Sequence, residues 1–169
     1  MKANERAALL ESTLTKQLHW INVADSKVAF YFAVSTTMLG VLAAKAPARA
    51  ADWTTAPAIF ASLALALELT ALLFLSFASF PRTTGPKSSL LFFGGITQRS
   101  LDQYKRTVRS LGSEAYIDDL SEQCHRNAEI AAKKFSWVQR ASICAYLSVL
   151  PWALSLWLLY DTSSTPFIH

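Results

Sequence analysis

The chain has 169 residues, 52% of them hydrophobic and 17% charged, with 16 Lys/Arg against 12 Asp/Glu. A charged fraction below the ~25% of soluble domains, with the apolar residues gathered in blocks, excludes an ordinary water-soluble globule. The net charge of +4 carries no argument for nucleic acid, because the positive flanks of membrane spans produce the same balance.

Residues 1–27 predict a cytosolic N-terminal helix that feeds a first span. Ala, Leu, Glu and Lys favour helix, and no Gly or Pro intervenes before Gly40. The start, MKANERAALLEST, has no apolar stretch near Met1, so a cleaved signal peptide is not expected. Leu10, Leu14, Leu18 and Ile21 predict one buried stripe, which then meets Asp25 and Val28. A carboxylate at that membrane mouth is either a solvated flank or half of an ion pair between helices.

Residues 28–44 predict the first transmembrane helix, short for a span, with Lys45 placed to snorkel outward and Pro47 as its terminator. A loop at 45–57 follows, with Trp53 at interface depth. The second span, 58–80, is the strongest signal: 23 residues with one charged group, Glu68, near the centre. At ~1.5 Å per residue such a run crosses the hydrocarbon, where charge is most costly. Glu68 is therefore expected to be neutral, paired or functional. Ser35, Thr36, Thr37 and Ser148 share its depth. Interhelical glue and a pore-lining or gating role both fit.

Residues 81–140 predict a cytosolic helical segment. It opens irregularly as PRTTGPKSSLLFFGGI, punctuated by Gly85-Pro86 and Gly94-Gly95. Leu90 to Phe93 is too short to span and is expected to be buried. Thr97 is expected to cap a helix ending near Leu111, with Gly112 as its stop. Ser113 is expected to cap the last helix. There Ile117, Leu120, Cys124, Ala128, Ala131, Phe135 and Val138 form an apolar seam of coiled-coil spacing. The opposite face carries Asp118, Asp119, Glu122, Arg126, Glu129 and Lys133. The seam runs into a third span, 141–160, in which Pro151 predicts a kink, and 161–169 form an external polar tail.

The fold class expected is an all-α membrane protein: three transmembrane helices with a small helical cytosolic segment continuous with the spans. Lys and Arg number four in 1–27 and ten in 81–140, against two in 45–57 and none after 160. The positive-inside rule then places the N-terminus and central segment in the cytoplasm and the C-terminus outside.

Beyond Glu68, the cytosolic cations are the main candidates. Arg99, Lys105, Arg106 and Arg109 lie close together in sequence, with Arg126, Lys133 and Lys134 on the long helix. Phe92, Phe93 and Tyr104 offer rings to stack on a base, and Gly94-Gly95 before a helix offers N–H groups to an anion. No Walker or GxGxxG pattern is present, so anionic lipid headgroups fit the basic residues as well as a nucleotide does. Asp25, level with Arg140 and Arg82, is the candidate for a latch at the cytosolic mouth. His19, His125 and His169 lack a partner in sequence, and Cys124 and Cys144 form no ligand spacing. Neither a catalytic site nor a metal or cofactor is expected.

Three stretches together resemble the Pycsar effector transmembrane family. They are LHWINVADSKVAFYF at 18–32, LLFFGGI at 90–96 followed by a helix with Tyr104, and NAEIAAKKF at 127–135 leading into the last span. Order and spacing agree over nearly the whole chain, with two departures: Phe135 where the family often has Tyr, and Gly95 where an acidic residue is common. The resemblance implies a non-enzymatic antiphage effector of the bacterial inner membrane. It would sense a cyclic pyrimidine mononucleotide, cUMP or cCMP, made by a partner cyclase, and then disrupt membrane integrity. The expected messenger contacts are Phe92, Phe93, Gly94, Arg99, Tyr104, Arg109 and Lys134; Asp25, Glu68 and Arg140 are the gating candidates. Roughly 60 cytosolic residues are few to enclose a nucleotide, so a site between protomers of a homo-oligomer is expected. The alternative is a structural or assembly membrane protein whose basic segment docks on lipid or a partner.

Overall fold

The computed structural model of the chain describes residues 1–81, 85–86 and 88–164. Regular structure among these residues is helical throughout: α1 Ala3–Lys45, a 3-10 turn Ala50–Asp52, α2 Thr55–Ser79, α3 Phe93–Thr97, α4 Leu101–Arg109 and α5 Ser113–Ser164. Helices α1, α2 and α5 are each long and apolar enough to cross a membrane. The protein is all-α with three span-length helices.

Local chemistry sets the limits of these helices. α1 meets no proline until Pro47, two residues beyond its end. α2 accepts Pro57 because the first N–H groups of a helix have no intrahelical partner to lose. It stops two residues before Pro81. Pro151 lies inside α5, which continues past it to Ser164.

The chain divides into two compact units, and α1 and α5 contribute to both. The first to describe is the one formed by Asp25–Ser79 and Phe135–His169. Its α2 buries Pro57, Ala61, Ala64, Glu68, Ala71, Leu75 and Ala78, alternating steps of three and four. Helix α1 buries Val28, Ser35, Met38 and Leu42; α5 buries Val138, Ala141, Ala145, Ser148 and Ser155. These are coiled-coil seams built largely of Ala and Ser. Between apolar faces in lipid no hydrophobic effect drives association, so small side chains serve by letting backbones approach closely.

Val28, Leu75, Ala78, Val138 and Ala141 form one layer of this packing, flanked by Tyr31, Leu72, Phe74 and Trp137. The large residues point the other way: Phe30, Leu63, Leu69, Leu73, Leu147, Leu150 and Trp157 are exposed. In water such a surface is a liability; against hydrocarbon it is the ordinary outer face of a bundle.

The second unit comprises Met1–Ala24 and Phe80–Lys134. Its interior holds Gln17, Ala24, Leu90, Ile117, Leu120, Gln123, Cys124 and Ala131. Two predicted stripes are corrected here. On α1, Gln17 is buried and Leu18 is 48% exposed, so the stripe arrives at Ala24 rather than Asp25. Each step of four residues advances the stripe by ~40°, and two in succession carry it off the face. On α5 the same drift places Lys134 on the buried side, while Ala128 is exposed.

The connecting segment also differs from expectation. Only Leu90 of the LLFF run is buried, while Leu91 and Phe93 are exposed. Thr97 ends α3 instead of capping a helix; Ser100 is the cap of α4, its side chain accepting from the Gln103 N–H at 3.3 Å.

Candidate functional site

In the Met1–Ala24 and Phe80–Lys134 unit, the segment that carried the messenger candidates is held by polar contacts from three directions. Ser89, almost fully buried, is the hub: its Oγ accepts from the N–H groups of Leu91 (3.0 Å) and Phe92 (2.9 Å) and from Gln123 Nε2 (2.9 Å). The Leu90 N–H donates to Asp119 Oδ2 at 2.7 Å. Asp119 and Gln123 lie four residues apart, hence on one face of α5, and grip two successive residues of the loop.

Arg99 closes the same loop from the other side. Its Nη1 donates to the carbonyls of Ser89 (3.0 Å) and Gly95 (2.7 Å), and its Nη2 to that of Ser88 (2.6 Å). One planar guanidinium thus spans three carbonyls, which suits Arg and no other side chain. Tyr104 adds a longer bond from its hydroxyl to the Leu90 carbonyl, 3.4 Å.

The aromatic pair occupies the glycine-flanked part of this loop. Phe92 and Phe93 rings stand 4.6 Å apart at 52°. A Cβ on Gly85 would fall 2.8 Å from the Phe92 ring, and one on Gly94 2.5 Å from it. A side chain at either glycine would therefore have to push the Phe92 ring aside. The amides of Gly95 and Ile96 both donate to the Phe92 carbonyl, at 2.9 and 3.0 Å, so this single turn spends them on itself.

Of the predicted messenger contacts, Phe92, Phe93, Gly94, Arg99 and Tyr104 are brought into one cluster. Arg109 is exposed in the last turn of α4, and Lys134 is buried on α5. Asp119, read from sequence as part of a solvent face, is instead half-buried and bonded to the loop. Ser89 and Gln123 escaped sequence reasoning altogether. Their one available signal was the i, i+4 spacing of Asp119 and Gln123 beside the apolar seam.

Contacts between α1 and α5 complete the unit. Tyr116 donates to Glu11 Oε1 at 2.7 Å, Cys124 Sγ approaches the Leu10 carbonyl at 3.4 Å, and Arg6 pairs with Glu114 at 2.6 Å. The bond to Glu11, and then burial, hold the Tyr116 phenol above its ordinary pKa. Burial alone pushes the Cys124 thiol up. The Arg126 guanidinium, bonded at 2.8 Å, pulls the Glu129 carboxyl down.

The gating candidates lie in the other unit. Glu68 is 1% exposed, and Ser148 Oγ lies within hydrogen-bond reach of its Oε1. Trp152 Nε1 donates to the Met38 carbonyl at 2.9 Å, and the hydroxyls of Tyr31 and Tyr146 meet at 2.9 Å. Asp25 is half-buried. Arg140 lies over the Trp137 ring at 4.8 Å, and Lys27 over Phe135 at 5.9 Å. Arg82, the other proposed partner of Asp25, lies outside the described residues.

Among the described residues no group of three His, Cys, Asp or Glu side chains is placed to hold a metal. No curated protein and no solved structure matches the chain. The family model for the Pycsar effector protein domain, PycTM, matches residues 9–159, which takes in all three span-length helices and the loop cluster between them. The chain belongs to this Pycsar effector family and is an antiphage defence effector with a transmembrane domain.

Proposed function

We propose that the protein is a non-enzymatic effector that senses a cyclic pyrimidine mononucleotide, cUMP or cCMP, and then compromises the bacterial inner membrane, halting the infected cell. The observation that carries this reading is the family match over 9–159, spanning membrane helices and polar unit together. A cyclase supplies the messenger, and the effector works as a homo-oligomer embedded in membrane lipid. The lysines and arginines of 1–27 and 81–140 put those segments, with the N-terminus, in the cytoplasm and the C-terminus outside.

In this reading Phe93 and Arg109 meet the messenger. Arg99 and Tyr104 build the loop, whereas Arg109 and the Phe93 ring are exposed at its surface and at the end of α4. Phe93 supplies a stacking face for a base and Arg109 a cation for the cyclic phosphate. Gly94 leaves room for the Phe92 ring beside Phe93, and Lys134 acts from its buried position on α5. Arg140 and Asp25 form the latch at the cytosolic mouth of the spans.

The test is binding of cyclic UMP and cyclic CMP to the full chain in detergent, with cyclic AMP as control. The expected result is selective, saturable binding, weakened by Arg109→Ala and by Phe93→Ala. An intact oligomer that binds none of the three would overturn the sensor reading.

A further inference from the structure

The spans that pack around Glu68 carry no lysine or arginine. Between Lys27 and Lys45 on α1, and between Arg140 and Asp161 on α5, the sequence contains no Asp, Glu, Lys or Arg, and Glu68 is the one such residue in α2. The weakly ionisable groups in the spans packed against it are Tyr31 on α1 and Cys144, Tyr146 and Tyr160 on α5. Tyr31 and Tyr146 bond each other, and none of the four is a cation.

Depth can be read from the packing. The layer of Val28, Leu75, Ala78, Val138 and Ala141 marks one level. Two helical turns further, about 10 Å, bring α1 to Ser35, the antiparallel α2 to Glu68 and α5 to Ser148. Ser35 and Ser148 are wholly buried. An ionised carboxylate here would have neither water nor a counter-ion, which is strongly unfavourable.

Counting hydrogens points the same way. Ser148 Oγ lies close to two oxygens, Glu68 Oε1 and the Ala145 carbonyl at 2.6 Å. A hydroxyl has one hydrogen and a carbonyl has none. If the serine hydrogen goes to Ala145, the hydrogen between Ser148 and Glu68 must come from the carboxyl. Meanwhile Glu68 Oε2 and Ser35 Oγ, both fully buried, meet no hydrogen-bond partner among the described residues. A carboxylate gathers donors on both oxygens, whereas a neutral acid leaves only its carbonyl oxygen unmatched.

We propose that Glu68 is a proton-binding site at the centre of the spans: it holds a proton in this packing, donates it to Ser148 and so ties α2 to α5. The site requires only the three-helix packing and stands apart from the messenger reading.

The experiment uses the full chain in lipid nanodiscs, in sodium-free buffer, comparing wild type with Glu68→Gln. Infrared difference spectra at neutral pH are expected to show a protonated-carboxyl band in wild type that shifts in D2O and is missing from the variant. Glu68→Gln, whose amide donates to Ser148 as the acid does, is expected to melt near wild type, and Glu68→Ala well below it. Ser148→Ala keeps the acid but removes its acceptor, so the band is expected to shift towards a free acid. This arm decides the matter if Glu68→Gln does not fold. Absence of the band, or a Glu68→Ala protein as stable as wild type, would overturn the proposal. Stabilisation by added sodium in place of protons would overturn it too, assigning the oxygen cluster to a metal cation. None of these readouts needs a messenger, so the sensor reading stands or falls separately.

Discussion

The Phe92 ring lies so close over Gly94 that a Cβ there would sit 2.5 Å from it, with Gly85 confining the same ring at 2.8 Å. The ring is fixed by its neighbours' lack of side chains. Gly94→Ala is expected to displace Phe92 and destabilise the loop by about 1–3 kcal/mol, in the manner of an overpacked site. Phe92→Leu in the same chain should restore much of the loss. Hydrogen exchange of the 88–96 amides in detergent-purified protein is the readout, and equal exchange in wild type and Gly94→Ala would refute the crowding argument.

Arg99 contributes through shape as much as charge. A lysine ammonium cannot span the carbonyls of Ser88, Ser89 and Gly95 together. Arg99→Lys is thus expected to lose about 2 kcal/mol and to behave nearly as badly as Arg99→Ala. A lysine variant with wild-type thermal stability would show the guanidinium geometry to be dispensable.

The alanine positions of the α2 seam should be sensitive to added volume. Ala64 and Ala71 are fully buried where helices approach closely. Ala71→Leu is expected to cost about 1–3 kcal/mol and loosen the bundle, whereas Leu73→Ala on the exposed face should leave it intact. Melting in nanodiscs, followed by circular dichroism, separates the two variants.

Alkaline pH should weaken the other unit through Tyr116. Its pKa is raised, first by the bond to Glu11. A raised folded-state value means the bond stabilises below the ordinary tyrosine pKa and is lost as pH rises through the shifted one. The midpoint of unfolding is expected to fall between neutral and strongly alkaline pH in wild type. Tyr116→Phe, which lacks the bond at any pH, should start lower and fall less.

The three long helices were legible in sequence because apolar length and proline position are local properties, and Pro47 and Pro81 lie just past real ends. Face assignments were less so. Stripes built from apolar identity chose Leu18 over Gln17 and Phe135 over Lys134, while the packing follows a strict seven-residue repeat whatever occupies it. The loop cluster was half visible: aromatic residues, glycines and Arg99 stood out, but their purpose did not. Ser89, Asp119 and Gln123 act across 29 and 34 residues of separation, and no local pattern announces a bond between a loop amide and a helix carboxylate.

The helix from Ser113 to Ser164 has a consequence for how such a chain can change length. Ile117, Cys124, Ala131, Val138 and Ala145 are buried every seventh residue, and Leu120, Lys134, Ala141, Ser148 and Ser155 keep the same beat. One inserted residue turns everything downstream by about 100°, exchanging the faces that meet α1 and α2 for those that meet lipid. Like a camshaft, the helix keeps its lobes in phase only if its length changes by whole heptads. Single-residue insertions and deletions are therefore expected to be tolerated only outside the three long helices.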